Sequence, residues 1–335
     1  MTHNDIIKEV NKKVFRPVYF LHGAESYFID VVSHHLANSI LEPTEREFNQ
    51  TVVYGRDANM NDLVSTLKCF PMMSNYQVVI LKEAQDIKEK DFDLLAGYLT
   101  NPQPSSILVI SYKKTAGKKL QALFQKNPAA VLVYESMAVK ENALPDWIIN
   151  YLMQKKIVCS PKIAQIISGS LGNDLSKIAN ELDKVMLNLP EGGTLTMDDV
   201  EANIGISKKY NSFELQAAIA KNQKAKALEI ASYFAANTRE ISIFAVIGIL
   251  NSYFEKLFVF LQLKNSKPHA AIAAEMGIKP FMLDNYASAS SNFSMKKVLE
   301  IFKTLRAYDL KAKGVDCITP EGELMREMIY KIVHL

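Results

Sequence analysis

Between residue 17 and about residue 140, five short apolar runs alternate with stretches of helical period, and this alternation restricts the fold more than any other feature of the chain. The runs are 17–22, 49–54, 76–81, 106–111 and 130–134, each rich in Val, Ile, Leu, Phe or Tyr and each about as long as a buried strand. Segments 25–41, 60–70, 88–99 and 117–125 between them read as helices. Strands that are apolar throughout need cover on both faces, and intervening helices supply the crossovers of a parallel sheet. A doubly wound α/β domain is expected over 1–141. Beyond Pro145 no strand is expected. Residues 142–208 read as a small domain of short helices with a turn at 190–193, and 209–335 as a helical bundle broken near 265–268, 277–280 and 314–320. Met295, Val298, Leu299, Phe302 and Leu305 have the spacing of a helix buried on one face, and Leu299, Phe302 and Leu305 are expected inside the bundle.

At 335 residues the chain exceeds what a single core ordinarily organises, which agrees with two or three domains. A net charge of +3 rules out a uniformly basic surface but leaves room for a local basic face. Cys69, Cys159 and Cys317 are far apart and form no Cys-x-x-Cys pair, which suits a reducing compartment. His34 and His35 are adjacent and cannot point the same way on a helix, so no metal site is expected. The first fifteen residues lack the apolar core of a leader. The apolar stretch 241–263 is interrupted by Asn251, Ser252, Glu255 and Lys256, and reads as a bundle helix rather than a membrane span. A soluble cytoplasmic protein is expected. No acid–base pair, nucleophile triad or metal cluster stands out, and neither catalytic residues nor a cofactor are expected.

The α/β domain is laid out like a nucleotide-binding one, yet the residues that would hold a nucleotide are missing. A phosphate-binding loop needs glycines for close backbone approach, a lysine for the phosphates and a hydroxyl for magnesium. Here Gly23 follows the first run at the place of the opening glycine, but Phe28 takes the second glycine's position, Ile29 the lysine's and Asp30 that of the Ser/Thr. The third run, Val78 to Leu81, leads into Lys82 and Glu83, putting a cation where a metal-supporting aspartate belongs. These spacings are also compatible with an unrelated open sheet that never bound nucleotide.

Four segments, in order, carry a resemblance that spans nearly the whole chain. They are PVYFLHGAESYFID, CFPMMSNYQVVILKEA, LGNDLSKIANELDKV (with Gly172, Asn173, Asp174, Leu175, Glu181, Leu182 and Lys184) and LRAYDLKAKG (with Asp309 and Lys311). Together they resemble the delta subunit family of the bacterial DNA polymerase III clamp loader. The resemblance implies a degenerate AAA+ (P-loop-like) parallel-sheet domain, a helical lid and a C-terminal collar that oligomerises. It also implies a non-ATPase subunit that binds and opens the ring-shaped sliding clamp (beta subunit) during DNA replication, beside ATPase subunits and a delta-prime subunit, with primed DNA a further candidate partner and no membrane. Any polymerase or nucleotidyltransferase label would then describe the holoenzyme rather than this chain.

On that resemblance the clamp-binding element falls on Phe70, Pro71, Met72 and Met73, with Met-Met where the family usually shows Leu-Phe. Methionine is long, polarisable and suited to irregular pockets, although buried methionine in a core is also common. Lys113, Lys114, Lys118 and Lys119, after the fourth run, are candidates for the phosphate backbone of DNA or for a solvated loop. Lys208, Lys209 and Tyr210 mark the join to the last domain and carry the same two readings. Three other functions compete: an active nucleotide hydrolase with an unorthodox site, a delta-prime-like stator (whose Ser-Arg-Cys motif is absent from this chain) and an unrelated AAA+-like scaffold or adaptor.

Overall fold

The computed structural model describes residues 1–207, 210–239, 241–278 and 280–335. Lys208 and Lys209 lie outside the described residues. Two compact units are present, Met1–Val139 and Lys140–Leu335.

The first unit is built on five strands, β1 (Val18–Gly23), β2 (Gln50–Tyr54), β3 (Gln77–Lys82), β4 (Ser106–Tyr112) and β5 (Val131–Ser136). They lie in the order β2-β3-β4-β1-β5, and every pair is parallel. The helices of this unit are α1 (His3–Asn11), α2 (Ser26–Ser39), α3 (Pro43–Asn49), α4 (Met60–Leu67), α5 (Ala96–Thr100) and α6 (Lys118–Phe124). Strand β1 is flanked by β4 and β5 in register, Val18 opposite both Leu108 and Val131, and is buried along its whole length. Val18, Phe20, Val79, Leu81, Leu108 and Ile110 share one core with Leu63, Leu67, Phe92, Leu120 and Phe124. Helix α2 packs on β1, β3, β4 and β5 through a face that includes Ile29, Val32 and Leu36, with α1 against it. This is a P-loop-like α/β module.

Three sequence expectations need correction in this unit. Strand β2 is not buried on both faces: it is the sheet's edge, and Val52 and Tyr54 are exposed. The expected helix over 88–99 is a 3₁₀ stretch, Glu89–Leu95, running into the short α5. The helix expected to reach residue 70 stops at Leu67, leaving 68–76 as a projecting loop.

The second unit contains α7 (Leu144–Gln154), β6 (Val158–Cys159), α8 (Pro161–Leu171), α9 (Leu175–Met186), β7 (Thr194–Leu195), α10 (Met197–Ile204), α11 (Ser212–Ala220), α12 (Lys224–Ala236), α13 (Ile243–Leu263), α14 (His269–Glu275), α15 (Leu283–Ala289), α16 (Met295–Ala312) and α17 (Glu321–His334). Strands therefore do not end at Pro145, because β6 and β7 form a short parallel pair. The segment LGNDLSKIANELDKV owes its pattern to two helix ends. Gly172 stops α8 at φ +77, a conformation that strains any residue with a Cβ, and the Asp174 carboxylate caps α9 by accepting from Lys177 N at 3.0 Å. Leu175 and Leu182 are buried, and Glu181 pairs with Lys184 at 2.6 Å. Helix α13 is long and apolar enough to cross a membrane, but one face (Val246, Leu250, Phe254, Leu257) is packed into the helical core beside α11, α15, α16 and α17.

On α16 the buried stripe runs Val298, Ile301, Leu305 and Tyr308. Phe302 is only partly buried, and Leu299, expected inside, is exposed. Leu299 lies roughly 100° around the helix from Val298, which carries it off the packed face. Asp309 pairs with Lys313 at 2.7 Å, and the Lys311 ammonium lies 4.8 Å from the Tyr308 ring centroid.

Candidate functional site

Ligands of open parallel sheets sit at the carboxyl ends of the strands, where the strand order reverses. In this chain that crevice is closed by the protein's own groups. Gly23, the last residue of β1, adopts φ +142, and a Cβ there would lie 2.0 Å from the Ser136 carbonyl oxygen at the end of β5. Its N–H donates to the Lys114 carbonyl at 2.9 Å, beyond the end of β4. The connection into α2 is drawn onto β5 as well: Glu25 N–H donates to Ser136 O at 3.2 Å, and the Ser136 hydroxyl donates to Glu25 O at 2.7 Å. The glycine thus serves strand–strand approach rather than a phosphate cradle.

A helix start with free N–H groups is an anion site. At the start of α2 that role falls to Glu25, whose carboxylate accepts from Tyr27 N–H at 3.1 Å. A side-chain anion therefore occupies the place a phosphate would take. The sequence reading missed Glu25; an acidic residue just before a helix start is the pattern that would have found it. Phe28 and Ile29 turn inward. Phe28 stacks on His3 with centroids 4.3 Å apart, and Ile29 is fully buried.

Asp30, Glu83 and Lys113 come together from α2, from the residue after β3 and from the residue after β4. The Lys113 ammonium lies 2.7 Å from the Glu83 carboxylate and 3.0 Å from that of Asp30. Gln85 completes the cluster: its side-chain N–H donates to Glu83 at 2.7 Å and its oxygen accepts from Lys113 N–H at 2.9 Å. The hydrogen bond from Lys113 is the main reason the Glu83 pKa is lowered. Burial alone would lower the Lys113 pKa, but the bonds to Glu83 and Asp30 outweigh it and raise the value. Glu83 itself sits at φ +50, turned by close backbone approach: a Cβ on Gly55 would lie 2.2 Å from the Glu83 carbonyl oxygen. Lys82 points to the sheet's edge, 6.0 Å from the Tyr54 ring centroid.

The four candidate lysines do not act as one group. Lys113 is held as described, with 24% of its side chain exposed, and Lys119 pairs with Asp93 at 3.0 Å. Lys118 and Lys119 belong to α6 rather than to a loop, while Lys114 and Lys118 are exposed. In the second unit Tyr210 stacks on Tyr233, centroids 4.6 Å apart, and donates its hydroxyl to Glu229 at 2.6 Å.

The loop between α4 and β3 presents the reverse of a closed site. Phe70 is 79% exposed, Met72 62% and Met73 99%, so these apolar side chains face solvent and not a core. Phe48, at the end of α3, is 69% exposed. The loop is held from within. Gln77 donates to the carbonyls of Thr66 at 3.0 Å and Cys69 at 2.6 Å, and Asn49 bonds both main-chain groups of Met72. Isolated exposed apolar residues are ordinary, but a run of them at the tip of a tethered loop is a feature of contact surfaces.

Two family models match the chain: DNA polymerase III, delta subunit, over residues 19–135, and, over residues 209–318, the C-terminal domain of the DNA polymerase III delta subunit. The chain is 22% identical over 324 residues to DNA polymerase III subunit delta of Bacillus subtilis (strain 168), covering 92% of this chain and 91% of that relative. The solved structure of the Bacillus subtilis DNA clamp loader delta protein superposes with a TM-score of 0.57 at 17% identity over the full length of both chains. At that identity the likeness is one of fold.

Proposed function

Since the chain belongs to the DNA polymerase III delta subunit family, we propose that it is the clamp loader's non-ATPase lever, which grips the sliding clamp with Phe70, Pro71, Met72 and Met73 and helps to hold the ring open. Its work is in DNA replication as part of the polymerase III holoenzyme. Its partners are the clamp, the ATPase subunits and a delta-prime subunit, and any nucleotidyltransferase activity is that of the assembly. We assign 1–141 to the degenerate AAA+ domain, 142–208 to the lid and 209–335 to the oligomerising collar.

One observation carries the reading: the same domain offers an exposed apolar tip and a nucleotide crevice already occupied by its own Glu25 and Lys113. A chain that hydrolysed ATP would need the crevice open, and one that only filled space in an assembly would have no use for Met73 in full contact with water. A methionine pair entering a pocket on a partner removes apolar surface from solvent, and anchors of this kind contribute about 2 kcal/mol each. Lys114, Lys118 and Lys119 are exposed, but Lys119 is paired with Asp93, so Lys114 and Lys118 are the ones we assign to the phosphate backbone of primed DNA.

Surface-immobilised clamp titrated with the full chain tests the proposal. Wild type should bind saturably, and Met72→Ala/Met73→Ala should weaken binding by at least about thirtyfold, the equivalent of one such anchor. Undiminished binding by the double variant would remove the tip from the mechanism.

A further inference from the structure

We infer that Asn49, at the end of α3, is the positioning residue of the apolar tip: its side-chain amide fixes the Met72 backbone and so sets the direction in which Met72 and Met73 point. The inference rests on the clamp-binding reading above.

Asn49 is 5% exposed, and both polar atoms of its side chain are engaged. Its Oδ1 accepts from Met72 N–H at 2.6 Å, and its Nδ2 donates to Met72 O at 2.9 Å and to Glu45 O at 3.1 Å. One side chain therefore satisfies both main-chain groups of a single loop residue, in the manner of a neighbouring strand, and a third bond to α3 fixes the side chain itself. From residue 70 to residue 75, among the described residues, no main-chain group bonds to another main-chain group, and the only other hydrogen bond there is local, from Tyr76 N–H to the Ser74 hydroxyl at 3.4 Å. The hydrogen bonds that tie this segment to the body of the unit are therefore those of Asn49.

The conformation being held is not one the chain adopts freely. Met73 has φ +53, the left-handed region that costs a residue with a Cβ of the order of 1 kcal/mol. Without the Asn49 bonds, Met72 and Met73 would relax to other conformers, and the ordering cost would fall at the moment of binding. Burial matters as much as geometry, since water cannot compete for bonds it does not reach. The device acts at the element joint: α3 ends at Asn49 and β2 starts at Gln50, so the tip is referenced to the sheet's edge strand through one residue.

The test compares Asn49→Ala and Asn49→Asp with wild type in the full chain, by hydrogen exchange and by clamp binding, with Met72→Ala/Met73→Ala as a second background. Asn49→Ala should abolish protection of the Met72 amide while leaving β1, β3 and β4 amides as in wild type. It should weaken clamp binding about tenfold, chiefly by ordering cost. Asn49→Asp keeps the acceptor for Met72 N–H but sets an oxygen against the Met72 and Glu45 carbonyls that Nδ2 serves in wild type, so it should retain only part of the Met72 protection and also weaken clamp binding. In the background without the two methionines, removing Asn49 should change clamp affinity by less than about twofold, because a positioning residue has nothing left to position. Wild-type Met72 protection in Asn49→Ala, or wild-type clamp affinity with that protection lost, would overturn the inference. If instead the double methionine variant binds as tightly as wild type, the clamp-binding reading fails, while the exchange result still decides whether Asn49 fixes the loop.

Discussion

At the scale of single residues, the crevice of the first unit depends on Gly23 and Lys113 for different reasons. Gly23→Ala would place a methyl 2.0 Å from a main-chain oxygen at an unfavourable φ, with no flexible side chain to yield. It should lower stability by about 3 kcal/mol or more, read as a fall in the urea midpoint. Lys113→Met should lose roughly 1 kcal/mol at neutral pH, because the pairs are partly exposed and screened. Its pH dependence follows from Glu83, whose pKa lies below the ordinary 4.5 chiefly through the bond from Lys113. A carboxylate with a depressed folded-state pKa contributes fully above its unfolded value and loses that contribution as pH falls through the folded one. The penalty of Lys113→Met should therefore be full above the ordinary carboxylate range and shrink at the acid end, as the pH falls through the lowered folded-state value of Glu83. An equal penalty at both ends would mean that Lys113 acts by packing alone. Little of this was legible in the sequence. The absence of a phosphate loop could be read from Phe28, Ile29 and Asp30, but what replaced it could not, since Asp30, Glu83 and Lys113 meet only once the strand ends and α2 are brought together. The same holds for Asn49, whose partner is a main-chain group with no identity in sequence.

At the scale of elements, all five strands of the first sheet could be read because each is an apolar run between turn or helix signals, and burial of β1, β3 and β4 on both faces keeps those runs unmixed. β6 and β7 could not, since two residues each have no period to detect. Edge position was equally hidden: β2 contains Val52 and Val53 like its neighbours, and only the strand order shows that one side of it has no partner. Helix ends were misjudged where side chains keep their period past the last hydrogen-bonded turn, as at Leu67. Packing between elements sets another test. Gly322, in the first turn of α17, lets that helix approach α12 so closely that a Cβ would lie 2.5 Å from the Ala235 carbonyl oxygen. The neighbouring Glu321 carboxylate accepts from Ile243 N–H at 2.6 Å, capping the start of α13. Gly322→Ala should push α17 away from both helices and lower the stability of the second unit by about 2 kcal/mol. Trp147, the chain's single tryptophan, lies in α7 of that unit, and its fluorescence would follow the unfolding. A variant as stable as wild type would mean that the helices tolerate the extra methyl by a small shift.

At the scale of the whole molecule, the two surfaces of the first unit answer differently to ligands, and this separates a lever from a motor. A ligand stabilises a protein only through the difference between its affinities for folded and unfolded states, about 2.7 kcal/mol when present at a hundred times its dissociation constant. Magnesium–ATP at millimolar concentration would therefore register strongly if it had a micromolar site here. To enter, the triphosphate would have to displace Glu25 from the start of α2 and face Asp30 without a lysine or hydroxyl at the loop positions. Each of these raises the energy of the bound state. Hydrogen exchange should accordingly be unchanged by magnesium–ATP at the amides of 23–28, where a bound phosphate would slow it. Added clamp should slow exchange in 68–76, the tethered loop, and leave 23–28 as they were. Protection of 23–28 by nucleotide would show that the carboxylate yields to phosphate, and a chain able to do that would have to be read as a motor with an unorthodox site.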